Sequence, residues 1–151
     1  MWSLSAPVTI LSLTITSTEF LGKLINGTLT GLSTTFLYMS ISSENTSIKK
    51  YHDELEEMDI KLKLTLINNW IKKLDLQEKD SNFELIYKSI SESCDQISSS
   101  VYSINSKIEN HFSRWFHTWR YLDLEEEIKL IKKQTNILNN RLNLINFRNN
   151  I

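Results

Sequence analysis

A lone cysteine, three histidines and one dense run of aromatic and basic residues are where this sequence could do chemistry. Cys94 falls in an apolar stripe of helical spacing, between Ser93 and Asp95. A nucleophilic thiolate needs an accessible, electropositive setting, and these neighbours supply none. A buried structural thiol is the expectation. His52 and Glu56 stand four apart, the spacing that puts two side chains on one helix face. Two ligands do not make a metal site, and neither H-E-x-x-H nor paired Glu-x-x-His repeats occur. The acidic run from Asp53 to Asp59 reads as a solvated helix face. Gly22-Lys23 lacks the upstream glycine and following hydroxyl of a phosphate loop. These residues predict no catalytic residue, cofactor, metal or small-molecule substrate, and hence no enzyme.

Two motifs remain. The first is His111-Phe112-Ser113-Arg114-Trp115-Phe116-His117-Thr118-Trp119-Arg120-Tyr121. Phe112, Trp115 and Trp119 continue the apolar spacing of the preceding helix and would plug the end of a bundle. Phe116 lies off that stripe, among Arg114, His117 and Arg120. Aromatic residues with Arg dominate binding hot spots, so Arg114, Trp115, Phe116, His117, Trp119 and Arg120 form a candidate protein-interaction patch.

The second is Gly27-Thr28-Leu29-Thr30-Gly31, a G-x-x-x-G motif inside an uncharged stretch from Leu24 to Ile41. Such glycines let two helix backbones approach closely. Leu24, Gly27, Leu29, Gly31 and Phe36 are therefore candidate helix-packing or membrane residues. The stretch nears the ~18 residues of a spanning helix. Its Asn, Thr and Ser content weakens that reading, and the basic flank expected on one side is nearly absent. A core helix with small residues for tight packing is the expectation, and membrane contact is the alternative.

The rest of the sequence must position these residues. At 151 residues it fits a single domain, 1–151, able to bury its own core. Hydrophobic residues make up 40% and charged residues 23%, the balance of a folded protein. A net charge of −1 gives no bulk attraction to nucleic acid, and none is expected as a partner. One cysteine precludes an intrachain disulfide and suits a reducing, cytoplasmic setting. One proline and three glycines suit helices better than hairpin-rich β folds.

Residues 1–43 carry only Glu19 and Lys23 as charges, whereas 44–147 are charged throughout. The first segment admits a strand at Val8–Ile15. A helix is preferred because no other segment would pair with that strand. Its stripe is Leu4, Val8, Leu11, Ile15, Thr18, Gly22, Ile25, Leu29, Leu32, Phe36 and Met39, with a possible kink at Gly27–Gly31. A second helix spans about 43–74, with stripes Ile48-Tyr51-Leu55-Met58-Leu62 and Ile60-Leu64-Ile67-Ile71-Leu74. Glu57–Lys61 and Asp59–Lys63 are potential ion pairs along it. A third opens on a Ser81/Glu84 capping box and runs Phe83, Ile86, Ile90, Cys94, Ile97, Val101, Ile104, Ile108. A fourth follows the Asp123 cap through Leu124, Ile128, Ile131, Thr135, Leu138, Leu142 and Ile145, with fraying toward 148–151. Together they predict an all-α fold: an elongated antiparallel bundle of about four long helices with coiled-coil-like packing.

In outline the chain resembles the four-helix domains of the HeLo and mixed-lineage-kinase-like class. The likeness rests on the charge-poor segment 1–43, then Ile48 to Leu74 with Glu54-Leu55-Glu56-Glu57-Met58, and the late Trp119–Leu142 segment with Asp123. It implies a membrane-associating or membrane-perturbing bundle using the N-terminal segment. The residues themselves favour a non-enzymatic bundle acting through a protein partner or self-association, in a structural or adaptor role.

Overall fold

Apolar residues spaced by three and four become the buried edges of five helices. The computed structural model describes residues 2–42, 44–74, 81–114 and 121–149, with side chains described for 19–42, 44–73, 84–114 and 121–146. The helices are α1 (Trp2–Ile41), α2 (Thr46–Glu57), α3 (Ile60–Leu74), α4 (Ser81–Phe112) and α5 (Glu125–Asn149). No strand occurs among the described residues, and the fold is an all-α bundle.

The most extensive packing joins α4 to α5 and α1 to α4, and α1 also packs on α2 and α3. Cross-helix contacts fix the directions. Ser103 on α4 donates to Glu127, and Arg141 on α5 donates to Ser89, so α4 and α5 are antiparallel. Asn105 bonds the Gly31 carbonyl and Tyr38 bonds Glu109, so α1 and α4 run parallel. Consecutive segments alternate in direction, as short connections require. The parallel α1–α4 pair means that these spatial neighbours are not consecutive in sequence.

The predicted helix over 43–74 is two helices. Asp59 adopts φ 54, the left-handed region that Asp tolerates better than most residues. The chain then restarts in a new phase. Met58 is buried at the end of one stripe and Ile60 at the start of the next, while Leu62, expected on the first stripe, is 52% exposed. Two stripes that look parallel in sequence are thus consecutive, each belonging to its own helix. The break separates Glu57 from Lys61, and the Lys63 ammonium instead donates to the Met58 carbonyl at 2.9 Å, satisfying the end of α2. At the other end of α2, the Asn45 side chain accepts from the Ser47 and Ile48 amides.

Stripe positions in α4 and α5 are buried as expected: Ile90, Cys94, Ile97, Val101, Ile104 and Ile108 face Leu124, Ile128, Ile131, Thr135, Leu138, Leu142 and Ile145. Asp123 accepts from the Glu125 amide at the start of α5. Two boundaries differ from expectation. α4 ends at Phe112 in a turn at Ser113–Arg114, with Ser113 donating to the Asn110 carbonyl. α5 continues to Asn149, since no glycine or proline interrupts it.

Candidate interaction surface

Helix α1 has two faces of different character. The inward one is Leu21, Ile25, Thr28, Leu32, Thr35 and Met39, all buried. Its spacing of four and three is the stripe actually used. The expected stripe shares Ile25, Leu32 and Met39 with it but runs through Gly22, Leu29 and Phe36, which are half-buried flanks. Thr28 and Thr35 escaped sequence reasoning because they are polar. Each hides its polarity by donating to a carbonyl one turn back, Leu24 at 2.7 Å and Gly31 at 2.9 Å.

Thr35 also reaches across to α4. Its hydroxyl lies 2.6 Å from Asn105 Oδ1, and Asn105 Nδ2 donates to the Gly31 carbonyl at 3.0 Å. Gly31 is what permits this approach: a Cβ there would sit 2.9 Å from Val101 Cγ1. Half of the G-x-x-x-G motif is therefore spent inside the bundle. Leu24, Leu29 and Phe36 pack against the same core. No break occurs at Gly27–Gly31: α1 is continuous from Trp2 to Ile41.

Gly27, one turn earlier on the same flank, is exposed and borders the outward face. A Cβ on Gly27 would meet nothing within 4 Å. Around it lie exposed Asn26, Thr30 and Ser33, with Leu37 at 59%, Ile41 at 69% and Phe20 at 59% exposure. No charged side chain occurs between Lys23 and Glu44. Thr30, Ser33, Thr34 and Ser40 each donate their hydroxyl proton to the carbonyl four residues back. Their donors are thus already satisfied, so covering this face would cost little in lost hydrogen bonds to water. The outer faces of α2, α3, α4 and α5 carry exposed charges such as Lys49, Glu57, Lys72, Lys88, Glu92, Lys129 and Lys132.

The predicted aromatic patch is described only at its edges. Arg114 is exposed, with its amide donating to the His111 carbonyl at 3.2 Å. Trp115, Phe116, His117, Trp119 and Arg120 lie outside the described residues. Before them, His111 is buried, and Phe112 packs edge-on against Tyr38 at 6.0 Å between ring centres. A cleft of about 280 Å³ opens here between Ile41, Ile48, His111 and Phe112. After the patch, the exposed Tyr121 lies 3.5 Å, hydroxyl to hydroxyl, from Tyr51. Burial and then this hydrogen bond push Tyr51 up to about 12.

The remaining chemical candidates resolve simply. Cys94 is fully buried, and burial pushes its thiol up to about 12, far from a nucleophile's range. His52 packs edge-on against Phe36, with Nδ1 3.7 Å from Asp53 and Nε2 3.7 Å from Glu56. These three residues bring metal-capable atoms within 4.8 Å of one another. Both carboxylates are exposed, and such surface acidic groups are common without an ion. An ion pair ties α4 to α5: Lys107 with Glu127, to which Ser103 also donates. Burial works to raise the Glu127 carboxyl, but the Lys107 bond, a backbone N–H and Ser103 outweigh it and hold it below its ordinary value.

No protein-family model, curated protein or solved structure matches the chain.

Proposed function

We propose that this protein is a non-enzymatic helical bundle that works by protein–protein contact, as a structural or adaptor module, with the outward face of α1 as its contact surface. The observation that carries the reading is the contrast between that face and every other. A solvated helix normally keeps charge on its outer side. Here the outer side from Leu24 to Ile41 has none, exposes Leu37 and Ile41, and has its hydroxyls bonded inward. A cytoplasmic setting goes with this reading, since the single cysteine precludes an intrachain disulfide.

The test is site-specific photo-crosslinking in the cells that make the protein. A photo-reactive residue at Thr30 or Leu37 is expected to give discrete protein adducts, and one at the charged position Lys132 on α5 is not. Adducts from Lys132 alone, or from none of the three, would overturn the proposal.

The same face favours a second reading, contact with a membrane. Among the described residues no helix is long and apolar enough to cross a bilayer, so α1 would lie on the surface. Lys23 is the face's one basic residue, a poor match to anionic headgroups. Liposome flotation of the full chain against Leu37→Glu/Ile41→Glu decides: flotation that the double variant abolishes supports this reading, and failure of the parent chain to float sinks it.

A further inference from the structure

We propose that the side of the bundle formed by α3 and α5 rests on an anionic lipid surface, with Leu62 and Leu66 reaching between the headgroups and the lysines of both helices paired with them. This goes beyond the contact function of α1 and does not depend on it. Three observations select this occupant.

The first is the segregation of charge. The net charge of −1 is a sum over helices of opposite sign. From Ile60 to Leu74 the chain carries four lysines, and from Ile128 to Asn149 three lysines and two arginines, with no acidic residue in either stretch. α2 and α4 have the opposite excess, four acids to two lysines in each, and on α1 Glu19 and Lys23 balance. Lys72, Lys73, Lys129, Lys132 and Lys133 are exposed, and no ion pair engages them among the described residues.

The second is that the fold brings the two basic stretches to one side. Lys61 lies over the Phe36 ring at 4.8 Å and Asn68 donates to Asn26 at 3.5 Å, so α3 runs antiparallel to α1, as α5 does. α3 and α5 are therefore parallel neighbours that begin at the same end. Lys63 of α3 and Lys129, Lys132 and Asn136 of α5 line one cleft of about 540 Å³. The acids nearest to it, Glu54, Glu57, Asp59, Glu125 and Glu126, stand at the end where both helices begin. Past that end, this side exposes Leu66 and Lys73 of α3 and Lys133, Asn136, Asn140 and Asn143 of α5. Asp75, the first charge after α3, lies outside the described residues. An anionic surface thus meets lysines and side-chain amides, both of which donate to phosphate oxygens.

The third is the pair of leucines. Leu62 and Leu66, one turn apart, are 52% and 46% exposed beside these lysines. A nucleic-acid backbone offers leucine nothing. Past the acidic end, this side also exposes no aromatic ring for bases to stack on among the described residues, since Trp70 is half-buried against the core. A protein interface is built on a larger apolar centre than two leucines. A lipid surface asks only for a few apolar side chains and roughly four to eight basic ones around them. Among the described residues no helix is long and apolar enough to cross a bilayer, so the contact is peripheral. α1 and α5 both pack on α3 and α4 and stand across the bundle from each other, which leaves the outward face of α1 clear of the lipid.

The test is flotation of the purified full chain with vesicles of phosphatidylcholine alone or with about 30% phosphatidylserine, an anionic lipid. The chain is expected to float with the anionic vesicles only, and raising salt from about 0.1 M to about 0.5 M should release it. Lys132→Glu/Lys133→Glu and Leu62→Ser/Leu66→Ser should each keep the helical circular dichroism and weaken binding at least tenfold. Lys49→Glu/Lys88→Glu makes the same change in net charge on α2 and α4 and should bind like the parent chain. Failure to float with anionic vesicles would overturn the proposal, as would equal weakening by the two lysine pairs. Binding to an oligonucleotide without flotation would reassign the lysines to nucleic acid and overturn it too. Flotation that Leu37→Glu/Ile41→Glu abolishes and Lys132→Glu/Lys133→Glu leaves unchanged would move the lipid contact to α1. If the chain does not float yet gives Thr30 adducts in cells, the contact function of α1 stands and only this lipid contact is lost.

Discussion

Two glycines four residues apart on one flank of α1 differ in what surrounds them. Gly31 is pressed against Val101 of α4, and a methyl there would have to displace a buried, stiff β-branched side chain. Gly27 faces open space. The threonines, five apart, lie on different sides of the helix. Thr35 bonds Asn105 across the interface, whereas Thr30 bonds only its own helix. One charge-poor sequence thus builds both a wall of the core and an unoccupied neutral surface. Low charge therefore does not by itself distinguish burial from display: the phase around the helix does.

The largest effect should come from overfilling the inward side. Gly31→Leu is expected to destabilise the fold by about 3 kcal/mol in urea denaturation, since added bulk in a packed interface forces side chains or helices apart. An unchanged midpoint would break the comparison. Next comes the polar bridge. Thr35→Val removes the hydroxyl that Asn105 uses and should cost about 1–2 kcal/mol, as a half-satisfied buried polar group does. Thr30→Val, on the outward side, should change stability by less than ~0.5 kcal/mol. Equal losses at the two threonines would erase the distinction between the faces.

A smaller effect, away from α1, calibrates these. Glu127→Gln should cost about 1 kcal/mol near neutral pH, because Glu127 is largely covered and pairs with Lys107. Its folded carboxyl lies below its ordinary value. A depressed acid contributes stability that is present above the unfolded value and is lost as pH falls through the folded one. The gap between parent and variant should therefore close on acidification below about pH 4.5, the ordinary value of that carboxyl. A gap that persists at pH 3 would assign the loss to packing instead.

Much of the architecture was legible in the residues. In α4 and α5 the stripe, the Asp123 cap and the charge order agree, and the buried apolar positions are those the spacing selects. What was hidden has physical causes. The break at Met58–Asp59 was written as a change of stripe phase, but two overlapping stripes also fit one broad helix face. The left-handed Asp59 carries no glycine to announce it. Thr28, Thr35 and Asn105 were missed because a polar side chain gives no hydropathy signal when its partner is a carbonyl in the same helix or a residue 70 positions away. Their recoverable signal is spacing: 21, 25, 28, 32, 35 and 39 form an unbroken four-three series once threonine is admitted. The G-x-x-x-G motif was visible, but sequence alone could not say that α4 lies against Gly31 and not against Gly27 one turn earlier. Of the aromatic patch, Arg114 is exposed at the end of α4, and the other five candidates lie outside the described residues.

The most direct test of where α4 closes on α1 is one paired denaturation experiment, Gly27→Ala against Gly31→Ala, followed by tryptophan fluorescence at nanomolar concentration. Alanine is favoured over glycine in a helix by about 1 kcal/mol, so Gly27→Ala should raise stability by roughly that amount. At Gly31 the contact with Val101 should reverse the sign and leave a net loss of about 1 kcal/mol. Two gains, or two losses, would contradict the account: the glycines would then share one environment, and α4 would not close on α1 at Gly31 while leaving Gly27 open.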